Sequence, residues 1–305
     1  MIEIKGLTKA YGDRKAIDSL SFHVKKGEVV GFLGPNGAGK TTTMKIITGF
    51  MAPTSGSVRV AGFDVFENPI EVKRRIGYLP ETPPLYGDMI VSDYLKFVSQ
   101  IKGVEKSRIT SLVDRAIEKT KLGEVRHRLI QNLSKGFRQR VGLAQAIVSD
   151  PEILILDEPT VGLDPRQVAE IRNLLQELKG SHTIILSTHI LPEVQATCER
   201  VIIINRGVIV AEDSLAGLSQ KLRGGASVHV KVRRNVSEVS AAIRKLVGVT
   251  GVEANGQQIR VLGSGSEDFV EGIVDAVVGQ KGGLLELSQP EAGLENIFIK
   301  LTSVQ

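Results

Sequence analysis

The chain has a single cysteine, Cys198, so it forms no intrachain disulfide, and any metal site needs other ligands. Cys198 falls in a predicted helix and reads as a small core residue rather than a reactive thiol. The longest apolar runs, such as residues 201–204, fall far short of the roughly 20 residues a spanning helix needs. The opening Met1-Ile2-Glu3-Ile4-Lys5 carries no apolar signal segment. We therefore expect a cytosolic chain, with any membrane span supplied by another subunit. A long cationic run is also missing: the basic pairs Lys25-Lys26, Arg74-Arg75 and Arg233-Arg234 are scattered. With 39 Lys+Arg against 34 Asp+Glu, the net charge is +5. That balance fits a solvated surface better than a nucleic-acid groove, and it is compatible with a position near an anionic membrane face. What remains is ordinary for a globular protein, 42% hydrophobic and 24% charged. A length of 305 residues allows one large or two moderate domains.

The most informative stretch is Gly34-Pro35-Asn36-Gly37-Ala38-Gly39-Lys40-Thr41-Thr42. A glycine, four residues, then Gly-Lys-Ser/Thr is a phosphate-binding pattern. It follows a short apolar run at residues 29–33 and precedes a predicted helix over 42–48, stopped by Gly49. In that context the glycines let several backbone N–H groups point at one place, and the helix N-terminus adds partial positive charge there. Lys40 is predicted to reach the β and γ phosphates. The Thr41 hydroxyl is predicted to ligate Mg²⁺.

Strand and helix patterns alternate from residue 29 to 205, which predicts an α/β layered core. Residues 1–24 read as antiparallel strands with Tyr11 in the loop between them, and 57–60 as a further strand. Residues 92–122 turn helical, and a helical insertion over about 88–150 takes in Leu133-Ser134-Lys135-Gly136-Phe137. The run Ile153-Leu154-Ile155-Leu156-Asp157-Glu158 reads as a strand buried on both faces, hence part of a parallel sheet. Asp164-Pro165 is a helix start. Gly224-Gly225 reads as a linker, giving expected domains of 1–220 and 226–305, the second a small α+β unit. Within it we expect a strand at 228–232, a helix at 239–247 and strands at 252–254 and 259–262. A helix at 269–278, a strand at 284–287 and a final amphipathic helix through Leu294 and Phe298 complete it. No catalytic constellation appears there. Beside the phosphate loop, Asp157 is placed to hold Mg²⁺ through its water shell, and Glu158 to polarise an attacking water.

Residues 1–220 resemble the nucleotide-binding subunit of ATP-binding cassette (ABC) transporters. The resemblance rests on six motifs in order. They are the phosphate loop, the Gln-loop position at Glu81, the signature at 133–139, the acidic strand at 153–158, the loop Gly162-Leu163-Asp164, and His189. It implies a P-loop ABC cassette with a parallel core sheet, an antiparallel β subdomain and a helical insertion. It also implies ATP and Mg²⁺ as cofactors, adenine stacking by Tyr11, a γ-phosphate sensor at His189, and γ-phosphate binding by Ser134 and Gly136. The signature of one subunit closes over the ATP of another, so a homodimer is expected, together with a polytopic membrane permease that docks near Glu81. Residues 221–305, with Leu294-Glu295-Asn296-Ile297-Phe298, resemble the carboxy-terminal extension of type-two exporter ATPases, and Leu79-Pro80-Glu81-Thr82-Pro83-Pro84-Leu85-Tyr86 resembles the same branch, including its gliding-motility-associated members. Lys135 and Phe137 depart from the usual Leu-Ser-Gly-Gly-Gln. Glu81 replaces the usual glutamine with a group that accepts but, unless protonated, does not donate; it would face Mg²⁺ or water. Both departures recur in that exporter branch. The reading is an export ATPase on the cytoplasmic face of the membrane. Alternatives are a soluble ABC ATPase acting on ribosomes or DNA, and an importer ATPase with a C-terminal sensor domain.

Overall fold

The computed structural model describes residues 1–222, 226–263 and 267–288, together with Phe298. It divides into two compact units, Met1–Glu212 and Asp213–Gln305. Strand β1 (Ile2–Tyr11) pairs antiparallel with β2 (Arg14–Val24), from Ile2 opposite Val24 to Tyr11 opposite Arg14. Tyr11 is therefore the last residue of a strand rather than a loop residue, because the hairpin turn closes tightly over Gly12 and Asp13. Strand β3 (Val29–Leu33) is buried along its whole length and feeds helix α1 (Lys40–Ile47). That helix begins at Lys40, two residues before its predicted start. Gly39, at φ 108, turns the loop directly into the first helical residue.

Strands β4 (Ser55–Val60) and β5 (Phe63–Asp64) complete a four-stranded sheet of order β2-β1-β4-β5. Helix α2 (Pro69–Arg75) leads to β6 (Ile76–Leu79). Helices α3 (Val91–Ile101), α4 (Lys106–Lys119) and α5 (Lys135–Ile147) follow without an intervening strand, making a helical insertion before β7 (Ile153–Asp157). Helix α6 (Pro165–Leu178) starts at Asp164, whose side chain accepts from the Gln167 N–H at 2.9 Å. Strand β8 (Thr183–Thr188), helix α7 (Leu191–Thr197), β9 (Arg200–Asn205) and β10 (Val208–Ser214) complete the series. Cys198 lies just past the end of α7 and is buried, so its setting is that of a core residue.

The central sheet has the order β10-β9-β3-β8-β7-β6, and from β9 to β6 the neighbours run parallel. Such a sheet is buried on both faces, which is why its strands read as unbroken apolar runs. One apolar core joins it to the antiparallel sheet across α1. Ile2, Ile4 and Phe22 pack in the same cluster as Phe32, Met44 and Ile46, and the Phe22 and Phe32 ring centroids are 5.5 Å apart. Full burial of a side chain such as Met44 contributes about 1.5–3 kcal/mol. The parallel register then does the functional positioning. Leu33 pairs with Thr188, and Asp157 with Ser187. Three strands therefore end at one level, and the loops that leave them meet outside the carboxyl edge, where open α/β sheets bind ligands.

The second unit opens with α8 (Leu215–Leu222). It continues as β11 (Ala226–Val232), α9 (Val236–Ile243), β12 (Val249–Asn255), β13 (Gln258–Gly263), α10 (Glu267–Gly279) and β14 (Leu284–Ser288). The sheet order β12-β13-β11-β14, with antiparallel neighbours, is that of a split β-α-β-β-α-β unit. Val239, Ile243, Phe269 and Ile273 from its helices cover Val228, Val230, Ile259 and Val261 on one sheet face. Helix α9 starts three residues earlier than its apolar spacing predicts and ends before Val247, which is almost wholly exposed. Asn235, at φ 55, turns the chain into the helix, a start that apolar periodicity does not register. The Gly224-Gly225 linker and residues 294–297 of the final motif lie outside the described residues. Among the described residues, no helix is long and apolar enough to cross a membrane.

Candidate nucleotide-binding site

A cleft of about 750 Å³ opens at the carboxyl edge of β3, β7 and β8. It is lined by Tyr11, Arg14, Lys15 and Ala16 from the first hairpin and by Asn36, Gly37, Gly39, Lys40, Thr41 and Thr42 from the loop and α1. Glu81, Glu158, Val161, His189 and Arg206 line the rest. Gly37 and Gly39 have φ of 79° and 108°, a region L side chains rarely adopt. Gly34 is glycine for a different reason: a Cβ there would come within 2.4 Å of the Ile204 carbonyl oxygen.

Lys40 is buried, and its ammonium donates to the Gly34 carbonyl at 2.8 Å and the Pro35 carbonyl at 3.2 Å. It also faces Glu158 Oε1 at 3.3 Å. Glu158 is itself 5% exposed and has φ 50, a left-handed setting that costs an ordinary residue about 1–2 kcal/mol. The bend turns its side chain from the strand end into the cleft. Its second oxygen, Oε2, lies 2.9 Å from His189 Nδ1. An ionised carboxylate only accepts, so Nδ1 carries the proton and donates, which leaves Nε2 for other partners. His189 is 40% exposed, at the cleft surface.

Asp157 is completely buried. Its Oδ1 accepts from the Ser187 hydroxyl at 2.7 Å, while Oδ2 has no hydrogen-bond partner. Burial pushes this carboxyl above the usual aspartate range. The Ser187 and Thr41 hydroxyls oppose the rise, and Glu158 and Glu81 add to it. A buried acceptor without a donor, near a hydroxyl and two further carboxylates, suits a hard cation bound through oxygen. Among the described residues, no group of three or more His, Cys, Asp or Glu forms an all-protein cage.

Tyr11 is half exposed; its hydroxyl meets Met51 Sδ at 2.9 Å, and the Lys9 ammonium lies 5.3 Å from its ring centroid. The signature residues lie elsewhere. Neither Ser134 nor Gly136 lines the cleft. Ser134 caps α5, its hydroxyl accepting from the Phe137 N–H at 3.4 Å. Gly136 lies so close to Gln167 that a Cβ would meet its side-chain oxygen at 2.5 Å. Lys135 extends to Gly162, where its ammonium fills the space a Cβ would take. Phe137 packs its ring 5.5 Å from the Arg140 guanidinium carbon, within the same helix.

Sequence reasoning missed the cations Arg14, Lys15 and Arg206 on the cleft wall. Their signal was faint: Arg14 and Lys15 follow Tyr11 closely, and Arg206 occupies a turn that reads only as a hairpin. Ser187 was missed as well, since its contact with Asp157 exists only across neighbouring strands.

A glycine cradle at a helix start, a buried lysine aimed along it, and an acidic pair at the end of a parallel strand one removed from the loop's own, with β8 between them, define a P-loop nucleoside triphosphatase. Residues 17–161 match the family described as ABC transporter. The bacitracin transport ATP-binding protein BcrA of Bacillus licheniformis is 38% identical over 225 residues, 73% of this chain and 72% of its own. The linearmycin resistance ATP-binding protein LnrL of Bacillus subtilis (strain 168) is 30% identical over 305 residues, 99% of this chain and 98% of its own. Among solved structures, the dimeric post-hydrolysis state of the ATP-binding cassette MJ0796 bound to ADP and Pi superposes with a TM-score of 0.66. That likeness is at 25% identity and covers 70% of this chain and 99% of that one. The chain belongs to the ATP-binding subunits of ABC transporters, and it is an ATPase.

Proposed function

We propose that this subunit powers export of a compound through a separate membrane permease, from the cytoplasmic face of the membrane. The observation that carries the chemistry is the meeting of Lys40, Glu158 and His189 in one cleft. The names of BcrA and LnrL, one for bacitracin transport and one for linearmycin resistance, support export over the importer and soluble alternatives. Residues 1–220 form the working cassette in this reading, and 226–305 an accessory domain.

The geometry supports the following residue roles. Tyr11 stacks on adenine with its half-exposed ring. The loop of residues 34–42, through its backbone N–H groups from Asn36 onward, and the Lys40 ammonium hold the phosphates. For this, Lys40 exchanges the Gly34 and Pro35 carbonyls and Glu158 for phosphate oxygens. Once released, Glu158 accepts a proton from the attacking water, and His189, held through Nδ1, presents Nε2 toward the γ-phosphate. Thr41, Asp157 and Glu81 would hold Mg²⁺, which supplies charge neutralisation at the phosphate oxygens. Ser134 and Gly136 stand outside their own cleft, so we assign them to the ATP of a second copy, in a two-fold dimer with two interfacial sites.

Glu158→Gln tests the assignment. Turnover should fall by a factor of about 10²–10⁴ while ATP binding persists and ATP-bound dimers accumulate. Hydrolysis at the normal rate would remove Glu158 as the base. Co-purification of a polytopic protein from membranes supports the transporter reading; sedimentation that depends on RNA would sink it.

A further inference from the structure

One buried acid has no part in the scheme so far. Glu193 lies in the first turn of α7 and is 5% exposed. Among the described residues, no Lys, Arg or His forms an ion pair with it. An ionised carboxylate in that position is costly unless its oxygens are satisfied by donors. Here they are satisfied by two hydroxyls from two different segments. Oε1 accepts from the Thr160 hydroxyl, and Oε2 accepts from the Thr188 hydroxyl at 2.9 Å. Both threonines are buried.

The segments matter more than the bonds themselves. Thr160 lies two residues beyond Glu158, in the loop that leaves β7. Thr188 ends β8, immediately before His189. The Thr188 carbonyl also accepts from the Gly34 N–H at 3.3 Å, and its hydroxyl accepts from the Ile190 N–H at 3.0 Å. On the far side, the Thr197 hydroxyl donates to the Glu193 carbonyl at 2.6 Å. One side chain thus ties the loop after the acid to the strand end that carries the histidine and touches the start of the phosphate loop. The chemistry selects a carboxylate. It accepts with both oxygens at once, whereas an amide accepts with one and must donate with the other. A role limited to complementing the partial charge of the α7 N-terminus needs an acid but not these two partners.

We infer that Glu193 is a positioning residue that clamps the Thr160 loop to Thr188 and so sets Glu158 and His189 against one another. The inference rests on the roles proposed above for Glu158 and His189. A shift of about 1 Å at a reacting group is enough to cost on the order of a hundredfold in rate. Loss of the clamp acts on the chemical step and leaves the contacts to adenine and phosphate in place.

The experiment uses the full-length protein and compares Glu193→Leu, Glu193→Gln and Thr160→Val. Glu193→Leu should lower kcat about tenfold or more with KM for ATP within about twofold, and Glu193→Gln should recover part of the loss. Amide hydrogen exchange should quicken together in peptides covering 158–164 and 187–191. Combining Thr160→Val with Glu193→Leu should be no slower than Glu193→Leu alone. Unchanged kcat, a fall in kcat matched by a rise in KM, or exchange that quickens only within α7 would each overturn the inference. If Glu193→Leu does not fold, Glu193→Gln and Thr160→Val carry the test, and wild-type kcat and exchange in both overturn it. The exchange measurement separates this inference from the general-base assignment, because it reads the clamp whether or not Glu158→Gln abolishes hydrolysis.

Discussion

Lys40 and Glu158 form a buried pair whose two halves are unequally supported. The Lys40 ammonium has two further acceptors, the Gly34 and Pro35 carbonyls. Among the described residues, the Glu158 carboxylate has the His189 N–H as its one partner besides Lys40. Removing one partner of a buried pair costs about 3–5 kcal/mol, because a charge is left without its counterpart. Lys40→Met should approach the lower end of that range, since His189 compensates part of the stranded carboxylate. Glu158→Gln should cost less, about 1 kcal/mol, because the ammonium keeps both carbonyls and the amide oxygen still accepts. The double variant strands no charge, so it should be more stable than Lys40→Met alone, with a coupling of about 2 kcal/mol. The assay is urea unfolding of the cassette transition without nucleotide and with a chelator. The chain has no tryptophan, so far-UV circular dichroism is the practical probe. ATP at about 100 times its Kd should then add about 2.7 kcal/mol to the wild type and nothing to Lys40→Met. Equal costs for the two single variants with strict additivity in the double would refute the reasoning.

Asp157→Asn should stabilise the nucleotide-free protein at neutral pH. Burial raises the Asp157 carboxyl above its ordinary 3.8, so its favourable contribution is full below that value and fades as pH rises through the elevated native one. Unfolding at pH 5 and pH 8 checks the sign, and a variant less stable than wild type at pH 8 contradicts it. Gly34→Ala should cost about 1–3 kcal/mol and weaken ATP binding, since its Cβ would sit 2.4 Å from the Ile204 carbonyl oxygen. Thermal unfolding with and without ATP reads both effects. Cys198, its thiol pushed up to about 12 by burial, should resist a thiol-labelling reagent at pH 8 until the protein is denatured. Rapid labelling of the folded protein would show that the site opens.

Much of the site was legible in the residue order because its chemistry is local. The glycines, Lys40 and Thr41 act from consecutive positions on one loop. Asp157 and Glu158 announce themselves by ending an apolar strand. Apolar periodicity also placed the parallel sheet and the helical insertion, because burial on both faces or on one stripe leaves a direct imprint on spacing. Boundaries were less legible where a single backbone angle decides them, as at Gly39 and Asn235. The left-handed turn of Glu158 had no signal at all, since nothing in its neighbours spells a positive φ.

The residue order by itself determined that this chain cradles phosphates, that an acidic pair follows at a strand end, and that a second, small α+β unit comes after. Tertiary structure alone decided which groups meet. The parallel register of β3, β7 and β8 sets three loops at one level, and only then does Lys40 face Glu158 and Glu158 face His189. Thr160 and Thr188 find their common acceptor in Glu193 the same way. Such contacts depend on sheet order rather than on sequence distance, because a buried polar group takes the partner that the fold brings within reach.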